Sequence, residues 1–133
     1  MTTGYAIVLA SGELERIMAV SNIAAVAAAS EVPVDIFATM EGLEAFDRQT
    51  VADRSWEGGP IAEAMLSHGD VEVPLFTESF ERAKELGPLS LYACELSMDL
   101  MDRTLSDYVD LFDDVLGVSG FLTKAQDRQV VFV

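Results

Sequence analysis

The segment Pro88–Met101, which reads PLSLYACELSMDLM, joins the pattern of a buried strand to the start of a helix. Leu89–Ala93 is mostly apolar and favours β-structure, whereas Glu95–Met101 consists mainly of helix-forming residues. Cys94, the only cysteine of the chain, lies at the junction. The first amides of a helix stabilise a thiolate at such a position. Ser97 follows three residues later, so its hydroxyl can reach back towards the sulfur.

Two interpretations of Cys94 stay open at this point. A thiol at a helix start is placed for thiolate chemistry. A single cysteine near Ala93 and Leu96, however, is often a small buried hydrophobe with no reactivity. The neighbouring carboxylate of Glu95 also opposes ionisation of the thiol. The residues alone therefore predict either a reactive or a structural cysteine.

Strand and helix patterns alternate along the rest of the chain. Five candidate strands separated by helices predict a doubly wound, mostly parallel sheet with right-handed crossovers. One of the five is ambiguous, since its aspartate-rich surroundings suit a short strand or a helical turn. The predicted strands are Tyr5–Leu9, Val32–Ala38, Leu89–Ala93, Tyr108–Phe112 and Gln129–Val133.

The predicted helices differ in the clarity of their boundaries. One runs from Glu13 to about Ala29 with Ser11 as its N-cap, and another covers Thr77–Leu86 with Thr77 as its N-cap. Two shorter ones contain Leu43 with Phe46, and Phe121 with Leu122 and Ala125, respectively.

Regular patterns are lost between residues 48 and 73, apart from an apolar patch at 61–66. A long irregular connection in an α/β domain is often a lid or a binding loop, but it also fits a plain surface excursion. His68 lies in this stretch without a second ligand in its pattern. We interpret it as a solvated loop histidine.

Three short segments are predicted to converge on one edge of the sheet. In parallel α/β sheets, ligands and chemistry collect outside the carboxyl ends of the strands. Ser11-Gly12, Met40-Glu41-Gly42 and Cys94 each follow a predicted strand. The two turns are therefore expected to form a rim around the cysteine.

Composition predicts one globular domain spanning residues 1–133, because 50% of the residues are hydrophobic. One cysteine and one histidine exclude an intramolecular disulfide framework and the familiar Cys/His zinc patterns. Neither a dinucleotide fingerprint nor a phosphate-binding loop is present in the sequence. We accordingly expect no metal and no cofactor.

The charge balance is strongly acidic, with 23 acidic against 8 basic residues and a net charge of −15. Such a surface repels nucleic acid and anionic membranes, so neither is expected as a partner. Counterions screen self-repulsion at high salt, which makes salt adaptation one explanation of the acidity. An acidic docking surface for a basic partner is the other.

No basic region precedes an apolar run at the N-terminus, so no signal peptide is predicted. The longest apolar-rich stretch, Met18–Ala29, is too short to span a bilayer. We therefore expect a soluble, cytoplasmic protein. Within that stretch, Ile23–Ala29 is apolar all round, which predicts burial on both sides. The second side is covered by another subunit or by a helix of the same chain.

The segments YACELSMDLM, DLFDDVLGVSGFL and the final VVFV resemble the DsrE/DsrF-like family of small sulfur-relay proteins. More narrowly, they are similar to the DsrE-like branch often labelled "peroxiredoxin family". YAIVLASG and VDIFATMEGLEAF extend the resemblance to nearly the whole chain. It implies a flavodoxin-like three-layer fold and a homo-oligomer, commonly a trimer or hexamer. It also implies that the cysteine carries persulfide sulfur passed on by a partner protein. A second, resolving cysteine is missing, which argues against true peroxidase chemistry.

The resulting hypothesis is a cytoplasmic sulfur-relay protein in which Cys94 accepts and transfers sulfane sulfur. Ser97 and the first-turn amides stabilise the thiolate or persulfide, with Ser11, Gly12, Met40 and Gly42 in the rim. Two alternatives stay open: a non-catalytic oligomeric module with a structural cysteine, and a small-molecule-binding module without covalent chemistry.

Overall fold

A five-stranded sheet forms the centre of the protein, and every pairing between its strands is parallel. The computed structural model describes residues 4–67 and 74–133. The strand order is β4-β3-β2-β1-β5, so the expected doubly wound five-stranded sheet is confirmed. The strands are β1 (Tyr5–Leu9), β2 (Val34–Ala38), β3 (Leu89–Cys94), β4 (Asp114–Leu116) and β5 (Gln129–Phe132).

Helices occupy the connections between the strands. A short 3₁₀ turn, Leu105–Asp107, lies between β3 and β4. The helices are α1 (Leu14–Ala29), α2 (Glu41–Glu44), α3 (Arg48–Asp53), α4 (Pro60–Ser67), α5 (Phe76–Leu86), α6 (Glu95–Leu100) and α7 (Val118–Lys124).

The direction of the crossovers separates the helices into two layers. From β1 to β4 the chain steps across the sheet in one direction, and α1 packs against α5 along the way. Between β4 and β5 the chain returns past β1, so a right-handed crossover places α7 on the opposite face. The protein is thus a three-layer α/β fold of the flavodoxin-like type. Its strand order differs from the 2-1-3-4-5 order of flavodoxin.

Aromatic side chains fill both sides of the sheet. Phe121 of α7 stacks on Phe37 of β2 at 4.9 Å between ring centroids. On the other side, Phe46 contacts Phe76 and Phe112, each with centroids 5.1 Å apart. All of these rings except the half-buried Phe112 are buried, and the sheet is therefore held between two apolar layers.

The expected loss of regularity between residues 48 and 73 is wrong for most of that stretch, because α3 and α4 lie within it. The side chain of Asp47 accepts a hydrogen bond from the Thr50 amide at 3.0 Å and caps α3. The Trp56 indole N–H donates to the Ala45 carbonyl at 2.8 Å, which anchors the segment between the helices. His68 lies outside the described residues.

Several predicted boundaries also differ from the structure. Helix α1 begins at Leu14, and the Ser11 hydroxyl accepts from the Glu13 amide at 3.2 Å instead of capping the helix. Helix α5 begins at Phe76, so Thr77 lies inside its first turn. The candidate strand at 108–112 forms only an isolated bridge between Tyr108 and Asp47. The fourth strand is instead Asp114–Leu116, where Asp113, just before it, accepts a bond from the Leu91 amide.

The second half of α1 has one buried face rather than two. Ala24 and Ala28 are buried, and Gly87 after α5 approaches Ala28 closely. Ile23 and Val26 are 45% and 69% exposed, respectively. The neighbouring helix of the same chain therefore covers one side, and the apolar side chains on the other side lie at the surface.

Across residues 4–67 and 74–133, no helix combines the length and the apolar character that crossing a membrane requires.

Candidate functional site

Cys94 lies at a topological switch point of the sheet. Cys94 ends β3 and directly precedes α6. Its register partner, Leu116, ends β4, and one residue separates it from α7. The crossovers that begin at these two strand ends run over opposite faces of the sheet. A crevice at the carboxyl ends of such strands is the usual binding place of open α/β folds. The topology therefore puts the chain's only thiol at the position where this fold type carries its chemistry.

The Cys94 side chain is buried, with 1% of the residue exposed. Burial by itself raises the pKa of the thiol. Hydrogen bonds from the hydroxyls of Ser97 and Thr39, and from the amides of Ser97 and Leu96, outweigh burial and lower the pKa below its ordinary value. Hydrogen-bond donors that surround an anion favour its charged form. The site thus stabilises a thiolate within a largely closed environment.

Ser97 is held in place by the end of strand β2. Its hydroxyl oxygen accepts a hydrogen bond from the Met40 amide at 2.8 Å and lies 3.3 Å from the Thr39 hydroxyl oxygen. Because a hydroxyl carries one proton, acceptance from Met40 leaves that proton to be donated, with the Cys94 sulfur and the Met40 sulfur as its acceptors in reach. The predicted role of Ser97 next to the sulfur thus has a geometric basis in the turn that follows β2.

Thr39 is a site residue that the sequence interpretation missed. It is 8% exposed and follows Ala38, the register partner of Ala93. Neighbouring parallel strands end side by side, so the residue after Ala38 lies beside the residue after Ala93. The pairing of β2 with β3 is therefore the signal that would have identified Thr39.

Met40 has a backbone conformation that L-residues rarely adopt, with φ 53° and ψ −134°. Residues held in such regions are strained and tend to occur at functional sites. Its amide points to Ser97, and its sulfur lies 4.0 Å from the Ser97 hydroxyl oxygen. Met40 thus takes part in the site through both its backbone and its side chain. The residue is 49% exposed.

The remaining predicted rim residues meet each other rather than the thiol. A Cβ on Gly12 would lie 2.8 Å from the Glu41 carbonyl oxygen, and one on Gly42 would lie 2.2 Å from the Leu9 carbonyl oxygen. Both turns therefore need glycine for close backbone approach. Ser11 and Gly12 line a separate crevice of about 440 Å³ that also contains Trp56. The sequence-predicted rim thus divides: Met40 contacts Ser97 next to the thiol, whereas Ser11 and Gly12 line the separate crevice.

An ion-paired cluster involves Glu44 and Asp47, which follow the β2 turn in the chain. Arg103, just after α6, pairs with Asp47 through nitrogen–oxygen contacts of 2.6 Å and with Glu44 at 3.5 Å. The buried Tyr108 hydroxyl donates to Glu44 at 2.9 Å. Burial and the Glu44 carboxylate raise the pKa of Tyr108, which keeps this phenol protonated. The cluster ties the segment after β2 to the segment after α6.

Within the part of the chain that the structure describes, no three His, Cys, Asp or Glu side chains are grouped so as to hold a metal ion.

Comparison with known proteins identifies the fold but not the function. No family model matches the chain, and no curated protein matches it. A solved structure described as a protein of unknown function, MTH1491 from Methanobacterium thermoautotrophicum, aligns with a TM-score of 0.65 over 97% of both chains at 12% identity. The likeness shows a shared three-layer α/β fold.

Proposed function

We propose that this protein accepts sulfane sulfur on Cys94 and hands it on to an acceptor. The observation that carries the proposal is the buried thiol with four hydrogen-bond donors that lower its pKa. A larger thiolate fraction near neutral pH increases nucleophilicity towards sulfur. The Cys94–Met101 motif also resembles that of DsrE/DsrF-like sulfur-relay proteins, in which this cysteine carries the sulfur.

The transfer balances without an oxidant. The Cys94 thiolate attacks the outer sulfur of a donor persulfide, so that a new sulfur–sulfur bond forms on Cys94. The bond within the donor breaks, and the donor leaves as a thiolate. An acceptor thiolate then attacks the outer sulfur on Cys94, and the Cys94 thiolate leaves. The same donors, Ser97 and Thr39, stabilise Cys94 as nucleophile in the first step and as leaving group in the second.

The donor and the acceptor are proposed to be proteins that reach the switch-point crevice. Because only 1% of Cys94 is exposed, a transfer needs local displacement of the residues over the sulfur. The same burial favours a second candidate function, an interaction module in which Cys94 only fills space. The two functions differ in whether the folded protein reacts.

Persulfide mapping separates these functions. The folded protein is incubated with glutathione persulfide, blocked with an alkylating reagent, digested and mapped by mass spectrometry. We expect one added sulfur on the Cys94 peptide, and its loss when a thiol acceptor is supplied. Cys94→Ser, which contains no cysteine at all, is the control for non-covalent sulfur. An unmodified Cys94 in folded protein, together with modification after denaturation, would favour the structural cysteine.

The compartment proposed for this activity is the cytoplasm, since a free thiol carrier requires reducing conditions. The acidic surface is proposed to be an adaptation to high salt.

Assembly into a homo-oligomer larger than a dimer is part of the proposal. The exposed apolar side of α1, with Ile23 and Val26, lines a groove of about 490 Å³ together with Tyr5. Contact with another copy would bury these side chains. Light scattering in molar salt should give a trimer or hexamer mass, which Val26→Glu reduces. Ala28→Glu would not test the contact, because Ala28 is 1% exposed and its replacement disrupts the subunit itself. A monomer mass for the unmodified protein would contradict this assembly.

A further inference from the structure

We propose that the outer edge of strand β5 pairs with the same edge of a second copy of this chain, as two antiparallel strands. Strand β5 is last in the order β4-β3-β2-β1-β5, so within residues 4–67 and 74–133 no strand lies beyond it. The inference deepens the proposed homo-oligomer and rests on it for the presence of a second copy, whereas the sulfur chemistry does not enter it.

The backbone groups of Val130 and Phe132 face away from the sheet. On either side of these two positions, the amides of Gln129 and Val133 donate hydrogen bonds towards β1 at 2.8 and 2.9 Å, respectively. In a parallel ladder, only every second residue of a strand bonds to a given neighbour. The N–H and C=O groups of Val130 and Phe132 therefore point outwards, where a further strand can bind them.

The same two residues also expose apolar side chains, because Val130 is 49% and Phe132 is 75% exposed. Edge strands are usually protected from pairing by charged side chains, by proline or by bulges. Strand β5 reads QVVF, with neither a charge nor a proline. An unprotected edge with outward hydrogen-bonding groups and apolar side chains is a template for another strand.

The edge of β5 is complementary to itself. When two copies run antiparallel about a two-fold axis at Val131, Val130 of each copy lies opposite Phe132 of the other. Each such pair exchanges two hydrogen bonds, so all of the outward groups of Val130 and Phe132 are satisfied. The pairing also places the two side chains next to each other, which covers the exposed Phe132 ring. A two-fold contact of this kind is closed.

Acidic residues are absent from the elements that adjoin this edge, although the chain contains 23 of them. Tyr5 joins β5 to α1, since it is the register partner of Gln129 and lines one groove with Ile23 and Val26. Helix α5 packs against α1, and the groove lies on the side of α1 that stays exposed. The stretches without a single aspartate or glutamate are 4–10 in β1, 16–30 in α1 and 129–133 in β5.

This distribution of charge favours a second copy over a basic partner. Chains that each carry a net charge of −15 repel each other least where neither presents a carboxylate. A basic partner gains no electrostatic attraction from the same surface. The charges that directly precede β5, on Lys124, Asp127 and Arg128, lie away from the axis at Val131, and two of the three are basic. Arg128 also pairs with Asp35 at 3.5 Å.

A two-fold contact requires an even number of copies. Of the two masses proposed for the homo-oligomer, the β5 contact therefore selects the hexamer over the trimer. Light scattering of the unmodified protein in molar potassium chloride measures this directly.

Hydrogen exchange tests the contact without any substitution. The amides of Val130 and Phe132 have no acceptor on the β1 side, so they exchange rapidly in a free subunit. In the assembly we expect their exchange to slow about tenfold or more. The Val131 amide faces β1 and is the internal reference for a protected position. Rapid exchange at Val130 and Phe132 in the oligomer would overturn the pairing.

Two variants test the contact by mass. Val130→Lys/Phe132→Lys places charges at the edge, and we expect it to halve the oligomer mass. It also makes the chain less acidic, so a smaller mass cannot come from greater repulsion. Val130→Pro removes one outward N–H, which an edge strand tolerates, and should halve the mass as well.

Val118→Lys/Leu122→Lys is the matched control for these variants. It makes the same change of charge at two exposed apolar positions of α7, which are 53% and 55% exposed, and should leave the mass unchanged. An unchanged mass in both β5 variants, or an equal loss in the control, would overturn the β5 contact.

The mass of the unmodified protein separates this inference from the other proposals. A trimer would overturn the β5 contact alone, and a monomer would overturn the homo-oligomer as well. A dimer would support the β5 contact and contradict the larger assembly. Cys94→Ser should keep the mass of the unmodified protein, so the β5 contact and the sulfur chemistry fail independently.

Discussion

The Met40 amide donates a hydrogen bond to the Ser97 hydroxyl oxygen at 2.8 Å, which links the end of β2 to the first turn of α6. This bond orients the hydroxyl that lowers the pKa of Cys94. The strained backbone of Met40 and the reactivity assigned to the thiol are therefore parts of one arrangement.

Ser97→Ala removes one of the four donors to the thiolate and leaves the Met40 amide without its acceptor. We expect the pKa of Cys94 to rise and alkylation near neutral pH to slow several-fold, since hydrogen bonds to a charged group contribute about 1.5–3 kcal/mol. The measurement is the pH dependence of the alkylation rate in the folded protein. Ser119→Ala, at an exposed position of α7, is the control and should leave the rate unchanged. Equal alkylation rates for the two variants would show that the Ser97 hydroxyl does not stabilise the Cys94 thiolate.

Met40→Gly tests the strain directly. Glycine adopts positive φ freely, and relief of strain of about 1–3 kcal/mol exceeds the entropic cost of glycine, about 0.5–1 kcal/mol. We expect the free energy of unfolding in urea to rise by about 1 kcal/mol. Met101→Gly is a matched control, because Met101 is 51% exposed and has an ordinary φ of −95°. That variant should lose stability, and a similar loss in Met40→Gly would contradict the assigned strain.

Asp47 links the helix cap of α3 to the ion pair with Arg103. Burial raises the pKa of its carboxyl, but the Thr50 amide and hydroxyl and the Arg103 guanidinium together hold it below the ordinary value. Asp47→Ala should cost about 2 kcal/mol of stability through the lost cap and pair. Asp53→Ala, at an exposed position in the same helix, should cost little.

The pH dependence of stability follows from the lowered pKa of Asp47. A carboxyl whose pKa is lower in the folded than in the unfolded state stabilises the protein above the unfolded value of about 3.9. That contribution is lost as the pH falls through the folded value. Urea titrations below about pH 4 should therefore show a steeper loss of stability for the unmodified protein than for Asp47→Asn. Parallel curves would mean that the Asp47 contacts do not matter in solution.

Salt should stabilise the protein, because 23 acidic residues oppose only 8 basic ones. The screening length shrinks from about 10 Å at 0.1 M to about 3 Å at 1 M salt. We expect the Tm to rise markedly over this range in potassium chloride. A Tm that does not change with salt would contradict salt adaptation and favour the other explanation, an acidic docking surface for a basic partner.

Four of the five strands were predictable because they are short apolar runs between clear turn signals, whereas β4 is Asp114–Leu116 and not the predicted 108–112. Tyr5–Leu9 was placed with its observed boundaries, and Leu89–Ala93 with a difference of one residue. Helix α4 was missed because contacts distant in the chain hold its start, whereas α3 has a local signal that the interpretation overlooked, the Asp47 cap that accepts from the Thr50 amide. In α4, for example, the Gly59 and Ala62 amides donate to Glu15 of α1 at 2.9 and 3.3 Å. No local pattern in the sequence carries that information.

The candidate site was half predictable for a similar reason. Cys94 and Ser97 belong to one continuous motif, so their spacing indicated their contact. Thr39 lies 58 positions from Ser97, and only strand register brings the two together. The residues left open whether Cys94 is buried, and the structure shows that it is, with 1% of the residue exposed.

The most direct test of the central claim is the alkylation of the folded protein with iodoacetamide as a function of pH. Because Cys94 is the only cysteine, every labelled peptide reports this site. The account predicts labelling of the native protein with an apparent pKa below the ordinary thiol value of about 8.5. Labelling that appears only after denaturation, or only above that pKa, would contradict a reactive Cys94.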